Sequence, residues 1–338
     1  MITVIIPVYN VEKYLKQCLD SVFHQSYKSI QVIIVNDGST DNSKNIIVGY
    51  KENYNFIYLE QQNKGVSEAR NLALKYVNGD YILFVDPDDY LEIDCLELMH
   101  NKAIKTNSDI VIASYTSIFD DDIKGMDFSY KIQLDENIIY NNVQIINKML
   151  DLNILGYLWN KLFKTTLCNK VKLNFESSRY VQDWLPVFIQ VSEANTISFI
   201  DKSLYNYRQR GASTVNKNNE KLLIDYNHAV TSIINYLEKR ELPYDKNKMT
   251  MFKATTLYQV IVNYYTLNKN MKFKMYIKYK NSFLNKHKIN MREILFSKHI
   301  SKHYKKTIFL WKIKLYHIYI EIRPLIKKFI NLKLLNHK

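Results

Sequence analysis

The sequence predicts an α/β fold: a mostly parallel, doubly wound sheet followed by a C-terminal helical extension. The first observation is that short β-branched runs alternate with amphipathic helical patterns through residues 1–115. The second is that polar segments directly follow three of these runs, as at the carboxyl ends of parallel strands. The third is that the pattern becomes helical from about residue 219, beyond the last glycine, Gly211.

The first strand and helix have the clearest patterns. Residues 2–6 form a β-branched run that Pro7 ends, which indicates a buried strand. Residues 12–24 carry apolar side chains three and four positions apart, which predicts a helix with one buried face. These side chains are Leu15, Leu19, Val22 and Phe23.

The second unit repeats this order. Residues 30–35 are a second apolar run, and the turn at 36–39 leads to Thr40 or Asp41, either of which could cap a helix at 41–51. Further strands are predicted at 55–59, 80–85 and 109–114, and further helices at 66–77, 92–106 and 141–151. Because parallel strands end at one edge of a sheet, we expect residues 7–10, 36–39 and 86–89 to gather there.

The composition is that of a soluble globular protein. Of the 338 residues, 47% are hydrophobic and 24% are charged, enough apolar material for one large domain or two smaller ones. Cys18, Cys95 and Cys168 lie far apart, which favours a reducing compartment. We expect no secretion signal and no spanning helix, since no basic segment precedes an apolar one and no uncharged run reaches about 18 residues.

The positive charge is concentrated at one end of the chain. Residues 271–338 hold 18 of the 47 Lys and Arg residues and 2 of the 33 acidic ones, a net charge of +16 for this segment and −2 for the rest. This asymmetry predicts an anionic surface as a partner. Nucleic acid is not expected, because the body of the chain has no excess of basic residues.

The segment at about 300–335 combines this charge with an apolar stripe and resembles an interfacial amphipathic helix, kinked at Pro324. The stripe consists of Ile308, Trp311, Leu315, Ile318, Ile322, Leu325 and Phe329. We predict that this tail attaches the chain peripherally to the inner, cytoplasmic face of a bacterial-type membrane. The alternative is that the stripe packs on its own domain or on a second subunit of a homo-oligomer.

Three polar motifs could carry chemistry. The run 86–89 (Asp-Pro-Asp-Asp) places three carboxylates in four residues, which repel each other unless a cation or hydrogen-bond donors compensate. A divalent ion suits such oxygen ligands, whereas the structural alternative is a turn in which Asp89 caps the next helix. Segments 35–41 and 63–71 carry Asp37, Lys64 and Arg70, which could bind a nucleotide. Their structural alternatives are a strand–turn–helix junction and a capped helix start.

Taken in order, the motifs closely resemble those of the family 2 glycosyltransferases, which have the GT-A nucleotide-diphospho-sugar transferase fold. The resemblance is dense over residues 1–115, at 7–10, 25–27, 36–39, 65–71 and 84–89. It continues to about 215 through 159–163, 182–184 and 205–210. We therefore expect a GT-A catalytic domain at 1–215, with a nucleotide-binding half at about 1–115 and an acceptor half at 116–215. Residues 216–338 form the helical C-terminal region.

The resemblance implies an inverting transfer from a nucleotide-sugar, usually UDP-linked, to a glycan or lipid-linked acceptor. It implies that Asp183 is the general base and that Asp88 binds Mn²⁺ or Mg²⁺ on the diphosphate. The residues implied for nucleotide-sugar binding are Pro7, Tyr9, Asn10, Glu12, Asp37, Lys64, Arg70 and Asp86. Further contacts to the acceptor or diphosphate are predicted for Trp159, Lys161, Trp184, Arg208 and Arg210.

The chain departs from the family pattern at two positions. The residue before the base is usually Glu and here is Gln182, which puts an auxiliary role of that Glu in doubt. The metal motif usually reads Asp-Ser-Asp-Asp, and Pro87 replaces the Ser without removing a carboxylate.

We predict a hexosyltransferase of bacterial cell-surface polysaccharide synthesis, acting on capsule, teichoic acid or lipooligosaccharide. One alternative is a nucleotidyltransferase, but that class has a glycine-rich basic loop after the first strand, and the first glycine here is Gly38. The other is a non-catalytic nucleotide-sugar-binding scaffold for a partner transferase. Its only support is Gln182.

Overall fold

The structure is a computed structural model that describes residues 1–120, 128–130, 132–177, 180–210, 220–267, 291–298, 300 and 302–312. Clustering of the chain gives two compact units: Met1–Lys217 with Tyr236–Pro243, and Asn218–Asn235 with Tyr244–Lys338. The first unit contains the sheet and all the predicted site residues. The roles given above to the two halves of residues 1–215 stay predictions.

Within the described ranges, nine strands form one sheet. They are β1 (Ile2–Val8), β2 (Ile30–Asn36), β3 (Ile57–Glu60), β4 (Tyr81–Phe84), β5 (Tyr90–Leu91), β6 (Ile110–Phe119), β7 (Phe128–Tyr130), β8 (Lys161–Lys164) and β9 (Ile197–Gln209). The order across the sheet is β3-β2-β1-β4-β8-β6-β9-β5, and β7 pairs with β6. Every residue of β1 is buried, which is typical of a central strand covered on both faces.

The helices of the first unit pack on this sheet. They are α1 (Glu12–Phe23), α2 (Ser43–Tyr50), α3 (Val66–Leu74), α4 (Cys95–Thr106), α5 (Asn142–Leu150), α6 (Thr165–Lys170) and α7 (Trp184–Glu193). The apolar stripe predicted for α1 is buried: Leu15, Leu19 and Val22 join Val4 and Ile6 of β1 in the main core. The core therefore lies directly behind the loops that leave β1, β2 and β4.

The α/β fold with a helical C-terminal part is confirmed, but the sheet is mixed rather than mostly parallel. β3, β2, β1 and β4 are parallel, as are β6 and β9. β8 separates these two groups and runs antiparallel to both β4 and β6. Sequence reasoning missed β8 because only four residues form it and lysines occupy both of its ends.

The remaining described residues are helical. The helices are α8 (Glu220–Lys239), α9 (Lys246–Leu267), α10 (Met291–Phe296) and α11 (Lys302–Lys312), and α9 packs against both α10 and α11. Where the structure describes the chain, no helix is long and apolar enough to cross a membrane. Of the predicted amphipathic tail, residues 313–335 lie outside the described residues, as do 299 and 301.

Candidate active site

The loops that follow β1 and β2 lie against each other, as predicted. The amide N–H of Asp37 donates to the carbonyl of Val8 at 2.8 Å. The side-chain oxygen of Asn10 accepts from the backbone of Thr40 at 2.7 Å. Asn10 adopts φ +46°, a left-handed conformation that Asn tolerates better than most residues. These bonds hold one wall of a cleft at the carboxyl edge of the sheet.

Asp37 organises the next loop along this edge. Its carboxylate is 3% exposed and accepts from the Gln61 side chain at 2.7 Å and from the backbone of Lys64 and Gly65 at 2.9 and 2.8 Å. Gly65 has φ +91°, which disfavours any larger residue there. Asp37 thus fixes loop 61–65, and its contact with a nucleotide stays a prediction.

The other residues predicted for the nucleotide lie at the same rim. Pro7 is buried within β1, whereas the ring of Tyr9 is 44% exposed and the side chain of Lys64 is exposed. Glu12 accepts from the backbone N–H of Asn42 at 2.7 Å, so it braces the loop before α2. Tyr9 and Lys64 are therefore side chains of this group that solvent and a ligand can reach.

Arg70, which is buried, and Asp86, which is partly exposed, form an ion pair behind the rim. Arg70 Nη2 donates to Asp86 Oδ1 at 2.7 Å, and the Arg70 side chain is 5% exposed. The hydroxyl oxygen of Tyr205 accepts a hydrogen bond from the backbone N–H of Asp86 at 3.1 Å. The pairing explains why Arg70, on α3, occupies an otherwise apolar helix face. It also holds Asp86 at the end of β4.

Asp88 lies in a partly buried position where it pairs with Arg210, whose Nη2 is 2.6 Å from Asp88 Oδ2. Burial raises the pKa of Asp88, the charge of Arg210 lowers it, and the charge of Asp86 raises it again. A cation near this carboxylate would offset both burial and repulsion.

The residues around Asp88 fit a divalent ion that takes one protein carboxylate and completes its shell with substrate phosphates and water. Among the described residues, no three His, Cys, Asp or Glu side chains form a protein-only metal cage.

Asp89 does not cap a helix, so that alternative is wrong. It leads into β5, and α4 begins only at Cys95. Its carboxylate is 2% exposed and accepts from the Tyr205 hydroxyl at 2.7 Å and from the Arg208 backbone N–H at 2.8 Å. Burial, with the neighbouring acidic charges, raises the pKa of Asp89. The residues that donate these bonds lie on β9, about 115 residues further along the same chain. Local sequence patterns could not predict such distant partners.

Arg208 is held by acceptors on three elements. Its Nε donates to the carbonyl of Asp88 at 3.0 Å, Nη1 to Asp120 at 3.0 Å and Nη2 to Gln17 at 2.7 Å. The guanidinium of Arg208 thus ties α1, the end of β6 and the 86–89 loop together, and its contact with the diphosphate or an acceptor stays a prediction. Arg210, two residues later, is the arginine that pairs with Asp88.

Asp183 immediately precedes α7 and is partly buried. Burial raises the pKa of Asp183 to about 6, Arg70 opposes this rise, Asp86 adds to it and Lys161 opposes it. Arg70, Asp86 and Lys161 are thus the charged groups that act on this carboxylate. A carboxylate with a pKa near 6 is largely ionised at neutral pH and is a stronger base than an exposed one.

Gln182 connects the Asp183 segment to this pair. Its amide oxygen accepts from Arg70 Nη1 at 2.6 Å, and its amide nitrogen donates to the carbonyl of Tyr180 at 2.8 Å. Arg70 therefore bonds Asp86 with one terminal nitrogen and Gln182 with the other. Gln182 departs from the family pattern, yet its side chain still contacts Arg70 of the site.

Lys161 and Trp159 are interior residues, which corrects the prediction that they contact an acceptor. Lys161 is fully buried, and its ammonium donates to the carbonyls of Leu155 and Tyr157 and to the side-chain oxygen of Asn160. Trp159 is 4% exposed and stacks between aromatic rings, with its ring centroid 4.5 Å from that of Tyr205. Trp184 is half-buried at the first position of α7, and its contact with an acceptor stays a prediction.

Asn71 is a site-supporting residue that sequence reasoning missed. Its amide nitrogen donates to the carbonyl of Phe175 at 2.8 Å, and its oxygen accepts from the Phe175 N–H at 2.9 Å. With Arg70 on Gln182, helix α3 therefore holds the segment before Asp183 at two points. The signal was present, because Asn71 belongs to the 65–71 motif, but pairing with a backbone 104 residues away has no local pattern.

The α/β fold, with Arg70, Asp86 and Asp88 at the carboxyl edge of the sheet, is of the GT-A type. The family model described as "Glycosyl transferase family 2" matches residues 3–151. Glycosyltransferase GlyG of Streptococcus pneumoniae is 31% identical over 63% of this chain and 72% of its own length. This chain belongs to the family 2 glycosyltransferases.

Two other relatives are longer than this chain. Glycosyltransferase GlyA of Streptococcus pneumoniae is 35% identical over 73% of this chain and 36% of its own length. The minor teichoic acid biosynthesis protein GgaB of Bacillus subtilis is 30% identical over 70% of this chain and 27% of its own length. The chain thus matches about a third of the length of these relatives, and their names describe larger proteins.

Two solved structures share the fold. S. aureus TarS 1–349 in complex with UDP-GlcNAc has a TM-score of 0.68 at 18% identity, over 96% of this chain and 91% of that one. The mannosyltransferase PcManGT from Pyrobaculum calidifontis, in complex with GDP-Man and Mn²⁺, has a TM-score of 0.51 at 12% identity over 96% and 86%. Neither a nucleotidyltransferase nor a non-catalytic scaffold is favoured by these likenesses.

Proposed function

We propose that this chain is an inverting glycosyltransferase that moves a sugar from a nucleotide-sugar to a glycan or lipid-linked acceptor in bacterial surface-polysaccharide synthesis. The observation that carries the proposal is Asp183: a carboxylate with a pKa of about 6 beside the Arg70–Asp86 pair, at the carboxyl edge of the sheet. In an α/β sheet this edge is where ligands bind.

The donor is a UDP-sugar, either a UDP-hexose or a UDP-N-acetylhexosamine. Two observations support this choice: the ordered rim around Asp37, and the UDP-GlcNAc complex of TarS, which has the same fold. Tyr9 and Lys64 are exposed at this rim and suited to contact the base and a phosphate. Asp86, held by Arg70, faces the ribose.

The reaction needs a base on the acceptor side. Asp183 takes the proton of the acceptor hydroxyl as its oxygen bonds to the anomeric carbon. The bond from that carbon to the diphosphate oxygen breaks, and the nucleoside diphosphate leaves with the electron pair. Attack opposite to the leaving group inverts the configuration at the anomeric carbon. Arg70 and Gln182 hold the Asp183 segment in place during this step.

We infer that Asp88 binds Mn²⁺ or Mg²⁺ together with the donor diphosphate. When bound, the ion stabilises the negative charge that develops on the leaving diphosphate. The support is the single carboxylate available at Asp88, its raised pKa, and the Mn²⁺ in the complex of the PcManGT fold relative. Arg210 holds Asp88 through their ion pair, and a bound cation would take the place of this pair at the carboxylate.

The acceptor is a growing surface glycan, of the capsule, teichoic acid or lipooligosaccharide type, at the inner face of the cell membrane. The relationship to GgaB and the +16 charge of residues 271–338 support this placement. Flotation with anionic liposomes tests the membrane part. Full-length protein is expected to float and a 1–295 truncation to stay in the dense fraction, whereas equal flotation of both would rule out the tail as an anchor.

A donor screen tests the enzyme assignment. UDP-, GDP-, CDP- and dTDP-sugars are incubated with Mn²⁺ and the wild-type chain, and release of the nucleoside diphosphate is measured. We expect release with a UDP-sugar, and its loss in Asp88→Ala. No release from any donor, with or without acceptor glycans, would contradict a catalytic role. Release that persists in Asp88→Ala would contradict the metal assignment alone.

A further inference from the structure

Lys161 is a buried charge that the reaction above does not use. Its Nζ lies 3.0 Å from the carbonyl of Leu155, 2.7 Å from that of Tyr157 and 2.8 Å from Oδ1 of Asn160. Each of these atoms only accepts hydrogen bonds. A neutral amine has two hydrogens and a lone pair, so only the ammonium form, with three hydrogens, satisfies all three acceptors. The arrangement therefore needs a charged lysine in the interior.

A buried ammonium with three acceptors could serve the fold alone. It joins the start of β8 to a segment of three residues, 155–157, which we call the strap. If the strap made only these contacts, it would be an ordinary connecting loop. Instead, its central residue, Gly156, touches the beginning of α7, which is the element that carries the base.

Gly156 leaves no room for a side chain. A Cβ added at this position would lie 2.8 Å from Cδ1, 2.9 Å from Cγ and 3.1 Å from Cα of Trp184. The first two distances are shorter than real Cβ contacts, so the strap or the Trp184 ring would have to shift, and the third is a tight contact to backbone. The strap therefore lies directly on Trp184, the residue that follows Asp183. A displacement of the strap would move the base.

Lys161 also acts on Asp183 through its charge. Among the charged groups that influence Asp183, Arg70 and Lys161 favour the carboxylate and Asp86 disfavours it. Burial lowers the pKa of Lys161 to about 7, and Asp183 is the charged group that raises it. The two residues thus stabilise each other's charged forms. Gln182, which directly precedes Asp183 in the sequence, is neutral.

We propose that Lys161 is a positioning residue for Asp183: its buried ammonium clamps the strap onto Trp184 and so fixes the base in place. This inference rests on the proposed function, since it assigns Lys161 a role through the general base. It explains why, among the lysines whose burial the structure describes, Lys161 alone is fully buried.

The test compares three full-length variants with the wild type. Lys161→Met keeps the length of the side chain and removes the charge and all three hydrogen bonds. Gly156→Ala keeps Lys161 but pushes the strap away from Trp184. Lys164→Met is the matched control, because this lysine ends the same strand with a partly exposed side chain, paired with Asp109 away from the site. UDP release is measured against pH, with UDP affinity and thermal unfolding for each variant.

Loss of the ammonium removes a positive charge that favours ionised Asp183, so the pKa of Asp183 rises. The acidic limb of kcat/KM is expected to move to higher pH by on the order of one unit in Lys161→Met. Displacement of the base is expected to lower kcat by roughly tenfold to a hundredfold in both Lys161→Met and Gly156→Ala, with UDP affinity unchanged. Lys164→Met is expected to match the wild type.

Wild-type kcat and an unmoved acidic limb in a folded Lys161→Met would overturn the proposal, and so would wild-type kcat in Gly156→Ala. If Lys161→Met does not fold, Gly156→Ala alone decides the matter, since it leaves the buried charge intact. Failure of the proposed function looks different: the wild type itself would release no UDP, or Asp183→Asn would be fully active.

Discussion

The amide oxygen of Gln182 lies 2.6 Å from Nη1 of Arg70, whose other terminal nitrogen bonds Asp86 at 2.7 Å. A glutamate at this position would form an ion pair with Arg70. The neutral amide keeps the hydrogen bond and leaves more of the positive charge of Arg70 to act on Asp183, whose pKa that charge lowers. Gln182 therefore favours an ionised base.

This relationship predicts the effect of restoring the glutamate. In Gln182→Glu, a second carboxylate partly neutralises Arg70 and repels Asp183, so the pKa of Asp183 rises. The acidic limb of UDP release is expected to move to higher pH by about half a unit to one unit. Gln133→Glu, on an exposed loop, is the matched control and should leave the limb in place. If the acidic limb of UDP release stays at the same pH or moves to lower pH, Gln182 has no such influence.

The wild-type pH profile is a prediction of its own. Burial holds the pKa of Asp183 at about 6, above its usual range, and the base must be ionised to accept a proton. Activity is therefore present above about pH 6 and should fall by up to about tenfold for each unit below it. Measurement of UDP release at saturating donor between pH 4.5 and 8 checks this. A rate that is flat down to pH 5 would mean that a group of lower pKa limits the reaction.

The rim of the site could be read from the sequence, because strand ends and turn residues have local patterns. The loops at Asn10 and Asp37 meet as expected, since parallel strands end at one edge. The interior of the acceptor half could not be read in this way. The sequence shows that Trp159 and Lys161 lie two residues apart in one motif, but only the fold shows that both are buried.

The bonds of Asn71 to the backbone of Phe175 predict a loss of both stability and activity in Asn71→Ala. Two buried hydrogen bonds are removed, so the free energy of unfolding should fall by about 2 kcal/mol. Because these bonds anchor the segment before Asp183, kcat should fall while UDP affinity is retained. Urea unfolding and UDP release measure the two effects. Asn45→Ala, at an exposed position of α2, should change neither, and equal behaviour of the two variants would contradict the anchoring role.

Arg208 and Lys202 allow a buried and an exposed ion pair on one strand to be compared. Arg208→Met leaves Asp120, whose side chain is 7% exposed, without its guanidinium partner, and should lower the free energy of unfolding by about 3 kcal/mol. Lys202→Met removes an exposed pair with Asp94 and should cost about 0–1 kcal/mol. Denaturant unfolding of both variants checks the difference. Similar losses for the two would mean that Arg208 does not join the elements as its contacts indicate.

Long-range polar pairing is what sequence reasoning could not supply. The local pattern around Asp89 is typical of a helix cap. In the structure, however, its hydrogen-bond partners are Tyr205 and Arg208 on β9. Burial of a carboxylate is tolerated only where the fold brings donors to it, and that depends on the pairing of β9 with β6 and β5. The residue types were visible in the sequence, whereas their roles required the topology.

The central claim is that Asp183 is the general base of a sugar transfer, and Asp183→Asn tests it most directly. The amide has the shape of the carboxylate but does not accept the proton, so UDP release at pH 7 should fall by about 10²–10⁴-fold. UDP affinity should stay at the wild-type value, and Asp201→Asn, at an exposed position, should remain fully active. UDP release by Asp183→Asn at the wild-type rate would contradict the assignment of the base.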